Sequence, residues 1–204
     1  MNNNKRAKEN RSVRNTKKRL KSSLMILLKE KPASKVTVKE LCELADINRG
    51  TFYYHYTDIF DMIKNIEEDF FNDFYKLIEP MKDTMKPDGD PHFMLTNIFY
   101  FFDENAEWSQ IMLGHHGDMA FIQRLKKLVD EKCSDTWKEV GLNLTTEDFE
   151  LFNSFIINGY IGLIETWLKT GRKQSPKEMA NFASRIMGQG DRSVTTEKVP
   201  LFYP

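Results

Sequence analysis

Residues 36–57, with the sequence VTVKELCELADINRGTFYYHYT, constrain the fold more than any other stretch of the chain. Thr37 is suited to cap a helix, because Glu40 follows three residues later at the spacing of a capping box. Apolar residues then recur at i, i+3, i+4 and i+7, which predicts one buried face of a helix about two turns long. They are Val38, Leu41, Cys42 and Ala45. Polar residues at 46 and 48 interrupt this pattern, so the first helix is expected to end in a tight turn.

A second short helix is predicted directly after the turn. Asn48 is its candidate N-cap, and Phe52 and Tyr56, one turn apart, are suited to hold it against a core. The other side chains are hydrogen-bonding or aromatic groups on the outward face: Arg49, Gly50, Thr51, Tyr53, Tyr54 and His55. This pattern is typical of a helix-turn-helix whose second helix enters the major groove of DNA.

The distribution of charge supports that interpretation. The net charge of the chain is zero, but residues 1–57 hold 14 Lys and Arg against 5 Asp and Glu, whereas residues 58–204 hold 16 against 25. Only the basic N-terminal part is therefore suited to bind a polyanion. A leucine-striped helix over residues 14–31 completes a predicted three-helix DNA-binding domain at residues 1–57. Residues 1–13 are either a disordered start or a flexible arm that contacts phosphates or a minor groove.

The same stretch resembles the DNA-binding domain of the tetracycline-repressor (TetR) family of bacterial regulators. The resemblance covers about residues 14–66, rests on residues 37–41 and 47–56, and is most specific in the run GTFYYHY from Gly50 to Tyr56. Ile59 departs from the family, whose members often carry at this point a Lys that contacts a phosphate.

The resemblance also implies a role for each outward side chain. Thr37, Tyr53 and His55 are expected to donate hydrogen bonds to phosphates. The residues expected nearest the base edges or the adjacent backbone are Lys39, Arg49, Gly50, Thr51 and Tyr54. Arg49 is the best candidate to read a guanine through its two-pronged donor. The alternative is that these are ordinary residues of an amphipathic surface.

Residues 58–204 are predicted to form a second, entirely helical domain. A long helix begins after Asp58 with Phe60 among its inward residues, a last helix begins at Ser175, and the tail from Gly188 has no helical pattern. Because no convincing strand occurs, we predict an all-α chain of about nine helices. Its N-terminal three-helix helix-turn-helix domain is followed by a C-terminal helical domain, to which the resemblance assigns ligand binding and dimerisation.

Aromatic residues of the C-terminal part are candidates to line a ligand pocket, although each could simply belong to the core. They are Phe70, Phe74, Phe99, Phe102, Trp108, Phe121, Trp137, Phe152 and Phe155. The resemblance implies a small, partly apolar or aromatic effector, and no other cofactor is expected. It also implies a homodimer, in which the last two helices pair with those of a second chain, whereas the alternative is that they close the core of a monomer.

Other kinds of function find little support. His115, His116 and Asp118 lie in a predicted loop without a third partner at metal-ligand spacing, so a surface loop is preferred to a metal site. The sequence carries no nucleophile elbow, phosphate loop or HExxH motif, and an enzyme is not expected. No apolar run is long enough to span a membrane and the N-terminus is unlike a secretory signal, which predicts a cytoplasmic protein.

These observations predict a transcriptional regulator, which by resemblance is a ligand-responsive repressor that binds a palindromic operator as a dimer. The alternative within the same family is an activator controlled by a protein partner. A sequence-blind DNA-packing protein is disfavoured, because it would spread its basic charge along the chain.

Overall fold

The computed structural model describes residues 11–80, 91–114, 119–139 and 145–195. Within them the chain forms nine α-helices and no strand, which confirms the predicted fold class. The helices are α1 (Arg11–Glu30), α2 (Val38–Ala45), α3 (Arg49–His55), α4 (Ile59–Ile78), α5 (Pro91–Glu104), α6 (Ala106–Leu113), α7 (Met119–Glu139), α8 (Thr146–Lys169) and α9 (Pro176–Thr195). A short 3-10 turn, Ala33–Lys35, lies between α1 and α2.

The chain divides into two compact units, residues 1–70 and 71–204, and the division falls inside α4. The domain boundary predicted after residue 57 lies just before this shared helix. The N-terminal unit has a small core to which all four of its helices contribute. Five of its side chains expose none of their surface: Leu20, Leu24, Leu41, Phe52 and Met62. Burying an apolar side chain of this size stabilises a fold by about 1.5–3 kcal/mol, so these residues fix the positions of the short helices.

The buried face of α4 differs from the prediction. Phe60, predicted to point inward, exposes 59% of its surface, whereas Ile59 and Met62 on either side of it are buried. Successive residues of a helix are about 100° apart, so the departure is confined to the start of α4, whereas Ile66, Phe70 and Phe74 further along the helix are buried as expected.

The C-terminal unit is held together by aromatic packing and by polar ties between helices. Phe99 of α5 meets Trp167 of α8 edge-on, with 5.6 Å between ring centroids. Gln110 Nε2 of α6 donates to the carbonyl of Leu168 at 2.8 Å, which satisfies one of the carbonyls near the end of α8. Helix α9 packs along α5, whereas α8 packs against α6 and α7.

The end of α8 and the start of α9 follow local rules. Gly171 has φ +85°, and its N–H donates to Leu168 O while that of Arg172 donates to Trp167 O, as in a Schellman motif. Gly171 thus terminates α8 in the left-handed conformation that glycine adopts most readily. The prediction that the chain loses helical structure at Gly188 is wrong, because α9 continues to Thr195. Glycine lowers helix propensity by only about 1 kcal/mol, and extending an existing helix avoids the cost of a new nucleus.

Candidate nucleic-acid interface

Helix α2 begins with the predicted cap but with only half of the predicted capping box. Thr37 Oγ1 accepts a hydrogen bond from Glu40 N at 3.2 Å. The Glu40 carboxylate contacts Lys31 Nζ at 2.6 Å instead of closing the box. This ion pair links the residue that follows α1 to the first turn of α2, and the Thr37 side chain is exposed at the surface.

The turn between α2 and α3 depends on a residue in the left-handed conformation. Asp46 has φ 50° and ψ 54°, a region that Asp tolerates better than most residues. Arg19 Nη2 of α1 donates to the Asp46 carbonyl at 2.9 Å and to its carboxylate at 2.8 Å. Both side chains are largely exposed, so this pair adds little stability and instead fixes where α3 begins. The sequence pattern did not single out Arg19, because its partner lies 27 residues away.

The orientation of α3 follows from one cap and two anchors, all three predicted from the sequence. Asn48 Oδ1 accepts from Gly50 N at 2.8 Å. A Cβ at position 50 would lie 3.3 Å from that oxygen, so glycine leaves room for the cap. Phe52 is fully buried and Tyr56 is 7% exposed, which confirms both as inward anchors. With this face held against the core, the opposite face of α3 points to solvent.

The residues predicted to contact DNA lie together at this surface. Tyr54 exposes 82% and Tyr53 58% of its surface. The others are exposed (Thr37, Lys39, Arg49, Gly50) or half-buried (Thr51, His55). The Tyr54 and His55 rings meet edge-on, with 5.0 Å between their centroids. This placement leaves the side chains accessible to a duplex, and their individual contacts with phosphates and bases stay predictions.

The concave surface at the turn carries charges of both signs. Helix α3 has no acidic residue, but where α2 meets its start a surface of about 400 Å³ is lined by Lys39 and Arg49 together with Glu43 and Asp46. Cys42 lies at the base of this surface, where burial raises the pKa of its thiol and the nearby Arg49 charge acts in the opposite direction. The thiol is thus neutral at physiological pH and serves as a small core group. Ile59 is buried at 4% exposure, so this position supplies no phosphate contact.

The aromatic residues predicted to line a ligand pocket fall into different environments. Those that are buried are Phe70, Phe74, Phe99, Phe102, Trp108 and Phe121. Phe152 is half-buried and Phe155 exposes 71% of its surface, so Phe155 does not line an enclosed cavity of this chain. The side chain of Trp137 lies outside the described residues, as do His115, His116 and Asp118.

Two further features of the C-terminal unit are an open groove and a pair of buried polar atoms. An open groove of about 870 Å³ lies between α8 and α9, and none of the predicted aromatic residues lines it. Trp108 Nε1 and Ser109 Oγ are buried without a hydrogen-bond partner, which sequence reasoning did not foresee.

Within the described part of the chain, no helix combines the length and hydrophobicity needed to cross a bilayer.

Comparisons with known proteins agree with these features. Residues 89–189 match the family model TetR_C_8, described as a transcriptional regulator C-terminal region. Over 50 residues, 24% of this chain and 13% of the other protein, the sequence is 38% identical to the helix-turn-helix transcriptional regulator YxbF of Bacillus subtilis. The chain thus matches only a small part of that relative's length.

Solved structures share the fold over nearly the whole chain. A TetR-family regulator from Syntrophomonas wolfei superposes with a TM-score of 0.61 at 16% identity, covering 93% of this chain and 99% of that one. A TetR regulator from Streptococcus agalactiae gives 0.57 at 21% identity, covering 86% and 95%. The dihydroxyacetone kinase operon activator DhaS gives 0.55 at 16% identity, covering 89% and 98%. With its helix-turn-helix and its match to the family's C-terminal region, the chain belongs to the TetR family of DNA-binding transcriptional regulators.

Proposed function

We propose that the protein binds a palindromic operator as a homodimer, represses transcription there, and is released when a small ligand binds its C-terminal unit. The observation that carries the DNA-binding part is the division of α3 into two faces. Phe52 and Tyr56 are buried, whereas Tyr53 and Tyr54 expose most of their surface. Large exposed aromatic groups on one surface usually mark a binding site, and here they lie beside the cations Lys39 and Arg49.

In this proposal phosphate contacts and base contacts are made by different side chains. Thr37 at the N-terminus of α2 and the donors Tyr53 and His55 on α3 bind phosphates, which sets the position of the helix on the duplex. Arg49, at the first position of α3, reads a guanine through its guanidinium fork.

The surface of α8 supports dimerisation. Leu151 and Phe155, one turn apart, expose 72% and 71% of their surfaces. Further along the same helix, a Cβ added at Gly159 or Gly162 would have no atom within 4 Å, so a neighbouring backbone could approach closely. The exposed apolar stripe and the open glycines together fit a helix that pairs with a second copy of itself.

The groove beside this stripe supports the same interface. It is lined by Leu163 and Trp167 of α8 and by Met179 and Phe182 of α9. Ile186 on α9 also exposes 51% of its surface. A helix from a second copy could fill such a groove, as in a four-helix bundle. Two-fold pairing would place two recognition helices on half-sites about 34–36 Å apart or a multiple of that distance.

Ligand response would act through α4, which contributes residues to both compact units. An effector that binds the C-terminal unit differently in two arrangements of this helix would shift the DNA-binding equilibrium, and a coupling of about 1–3 kcal/mol is enough. The buried aromatic groups and the unpaired Trp108 Nε1 would suit a small ligand that combines an apolar body with a hydrogen-bond acceptor.

A second candidate function is activation controlled by a protein partner. DhaS, which shares the fold, is named as an operon activator. A likeness at 16% identity concerns the fold alone, so the sign of regulation is a matter for experiment.

Selection of bound sites from random duplex DNA tests the proposal. A palindrome should be enriched over successive rounds, and a reporter carrying it next to a promoter should be repressed by the protein. Increased reporter expression would favour the activator, and failure to enrich any sequence would contradict sequence-specific binding.

A further inference from the structure

Helix α1 carries a row of exposed cations that the helix-turn-helix does not account for. Arg11, Arg14, Lys18 and Lys21 are spaced i, i+3, i+7 and i+10, and all four are exposed. At about 100° per residue they fall within an arc of about 80°, and at about 1.5 Å per residue the row is about 15 Å long. The row therefore forms one continuous face along the N-terminal half of α1.

The charge on α1 is unusually one-sided. The helix holds seven basic residues, whereas its single acidic residue, Glu30, is at the opposite end from the row. A solvated surface helix commonly alternates the two signs, because Glu and Lys one turn apart attract each other. No such partner stands within α1 for Arg11, Arg14 or Lys18. The composition is therefore that of a face suited to a polyanion.

The position of α1 brings its third turn to the helix-turn-helix. Arg19 binds Asp46, the residue that ends α2, and Asp46 stands three residues before Arg49, the first residue of α3. The third turn of α1 thus lies against the helix-turn-helix turn, in the same compact unit. Lys18 is one residue and Arg14 five residues along the helix from that contact, and their side chains are turned about 100° and 140° around the helix axis from Arg19.

We infer that the N-terminal half of α1 is a second DNA-contacting surface, which binds phosphates beside the groove occupied by α3. This inference rests on the proposed function. A duplex carries about one negative charge per 1.7 Å of its axis, so a 15 Å row of cations would meet several phosphates. Contacts of this kind hold the duplex without reading its bases, and they would extend the protected segment beyond the recognition helix.

The test compares the salt dependence of binding for the wild type and for Arg14→Gln/Lys18→Gln. The full-length proteins are titrated with a duplex carrying the selected palindrome and with a scrambled duplex of the same composition, between about 50 and 200 mM salt. Two cations in each of two protomers make four contacts, so the slope of log K against log salt should become shallower by about 3–4. Affinity should fall by a similar factor on both duplexes.

Two further variants separate this role from general effects of charge and folding. Lys127→Gln/Lys177→Gln removes two cations from exposed positions of the C-terminal unit and should leave the slope unchanged. Arg14→Lys/Lys18→Arg keeps the charges and should retain the wild-type slope. If the wild type binds the palindrome and Arg14→Gln/Lys18→Gln keeps the wild-type slope, the inference about α1 is overturned while the proposed function stands. If the wild type binds neither duplex, both are overturned.

Discussion

Phe52 and Tyr54 stand two residues apart on α3 and have opposite environments. The Phe52 side chain is fully buried, whereas Tyr54 exposes 82% of its surface. At about 100° per residue the two side chains point in nearly opposite directions. Phe52 therefore contributes to the free energy of folding, and Tyr54 is available to a partner.

We predict that Phe52→Ala lowers the free energy of unfolding by about 3–5 kcal/mol, because it empties a buried aromatic site. Tyr54→Ala should change that free energy by no more than about 0.5 kcal/mol and yet weaken DNA binding. Urea unfolding and DNA titration measure the two quantities. A Tyr54→Ala protein that unfolds at much lower urea, or binds the operator as the wild type does, would contradict the assignment of the two faces.

Arg49 is expected to determine specificity at one position of the operator. Arg49→Ala should relax the base preference there by about 1–3 kcal/mol, since a bidentate contact with guanine is lost. Arg49→Lys is the control, because lysine keeps the positive charge but cannot donate the two parallel hydrogen bonds of a guanidinium group. Selection profiles that are the same for the wild type and both variants would exclude Arg49 from base reading.

At the level of elements, the start of α9 is a complete capping box. Ser175 Oγ accepts from Glu178 N at 3.3 Å, and Glu178 Oε2 accepts from Ser175 N at 2.7 Å. The hydrogen bond from the Ser175 backbone, followed by that from its hydroxyl, lowers the pKa of Glu178. A carboxyl group whose pKa is lowered in the folded state stabilises the fold at pH values above the ordinary Glu pKa. This stabilisation is lost as the pH falls through the lowered pKa.

Glu178→Ala should therefore melt at a lower temperature than the wild type at pH 7, and the difference should narrow as the solution is acidified below the ordinary pKa of Glu. Thermal unfolding followed by circular dichroism at several pH values measures this. Glu104→Ala is a suitable control, because an acidic residue at a helix C-terminus gains nothing from the helix dipole. If the melting temperatures of Glu178→Ala and the wild type differ by the same amount at every pH, the proposed role of the carboxylate is contradicted.

The sequence predicted some features of these elements well and others poorly, for a physical reason. Caps such as Thr37 and Asn48 depend on residues two or three positions away, so their pattern is visible in the chain itself. The exposed Phe60 and the continuation of α9 past Gly188 were not predicted, because both depend on packing and helix propagation beyond the local pattern. The Arg19–Asp46 contact was missed because it joins residues far apart in the sequence.

For the whole molecule, the proposed dimer explains why α8 exposes large apolar side chains. Phe155→Glu should give a folded monomer, because a charge would be buried in the interface, whereas an exposed substitution in a lone chain costs about 0.5 kcal/mol or less. Phe60→Glu, which changes a similarly exposed Phe of α4, should leave the dimer intact. Sedimentation of both variants measures this, and a Phe155→Glu protein that sediments as a dimer would show that the interface lies elsewhere.

The proposed ligand site is the part of the molecule that the sequence defines least. Buried aromatic residues are common both in cores and in pockets, so composition does not separate the two. The groove between α8 and α9, which a second copy would fill in the proposed dimer, is lined by none of the predicted aromatic residues but by others, such as Leu163 and Phe182. Its position depends on the spacing of two helices, which sequence patterns do not encode.

A footprint of the protein on its selected site tests the central claim most directly. The account predicts one discrete protected segment with two-fold symmetry, its half-sites centred about 34–36 Å or a multiple of that apart, and loss of this protection in Tyr54→Ala. Protection spread evenly along the DNA, or the same footprint with Tyr54→Ala, would contradict it.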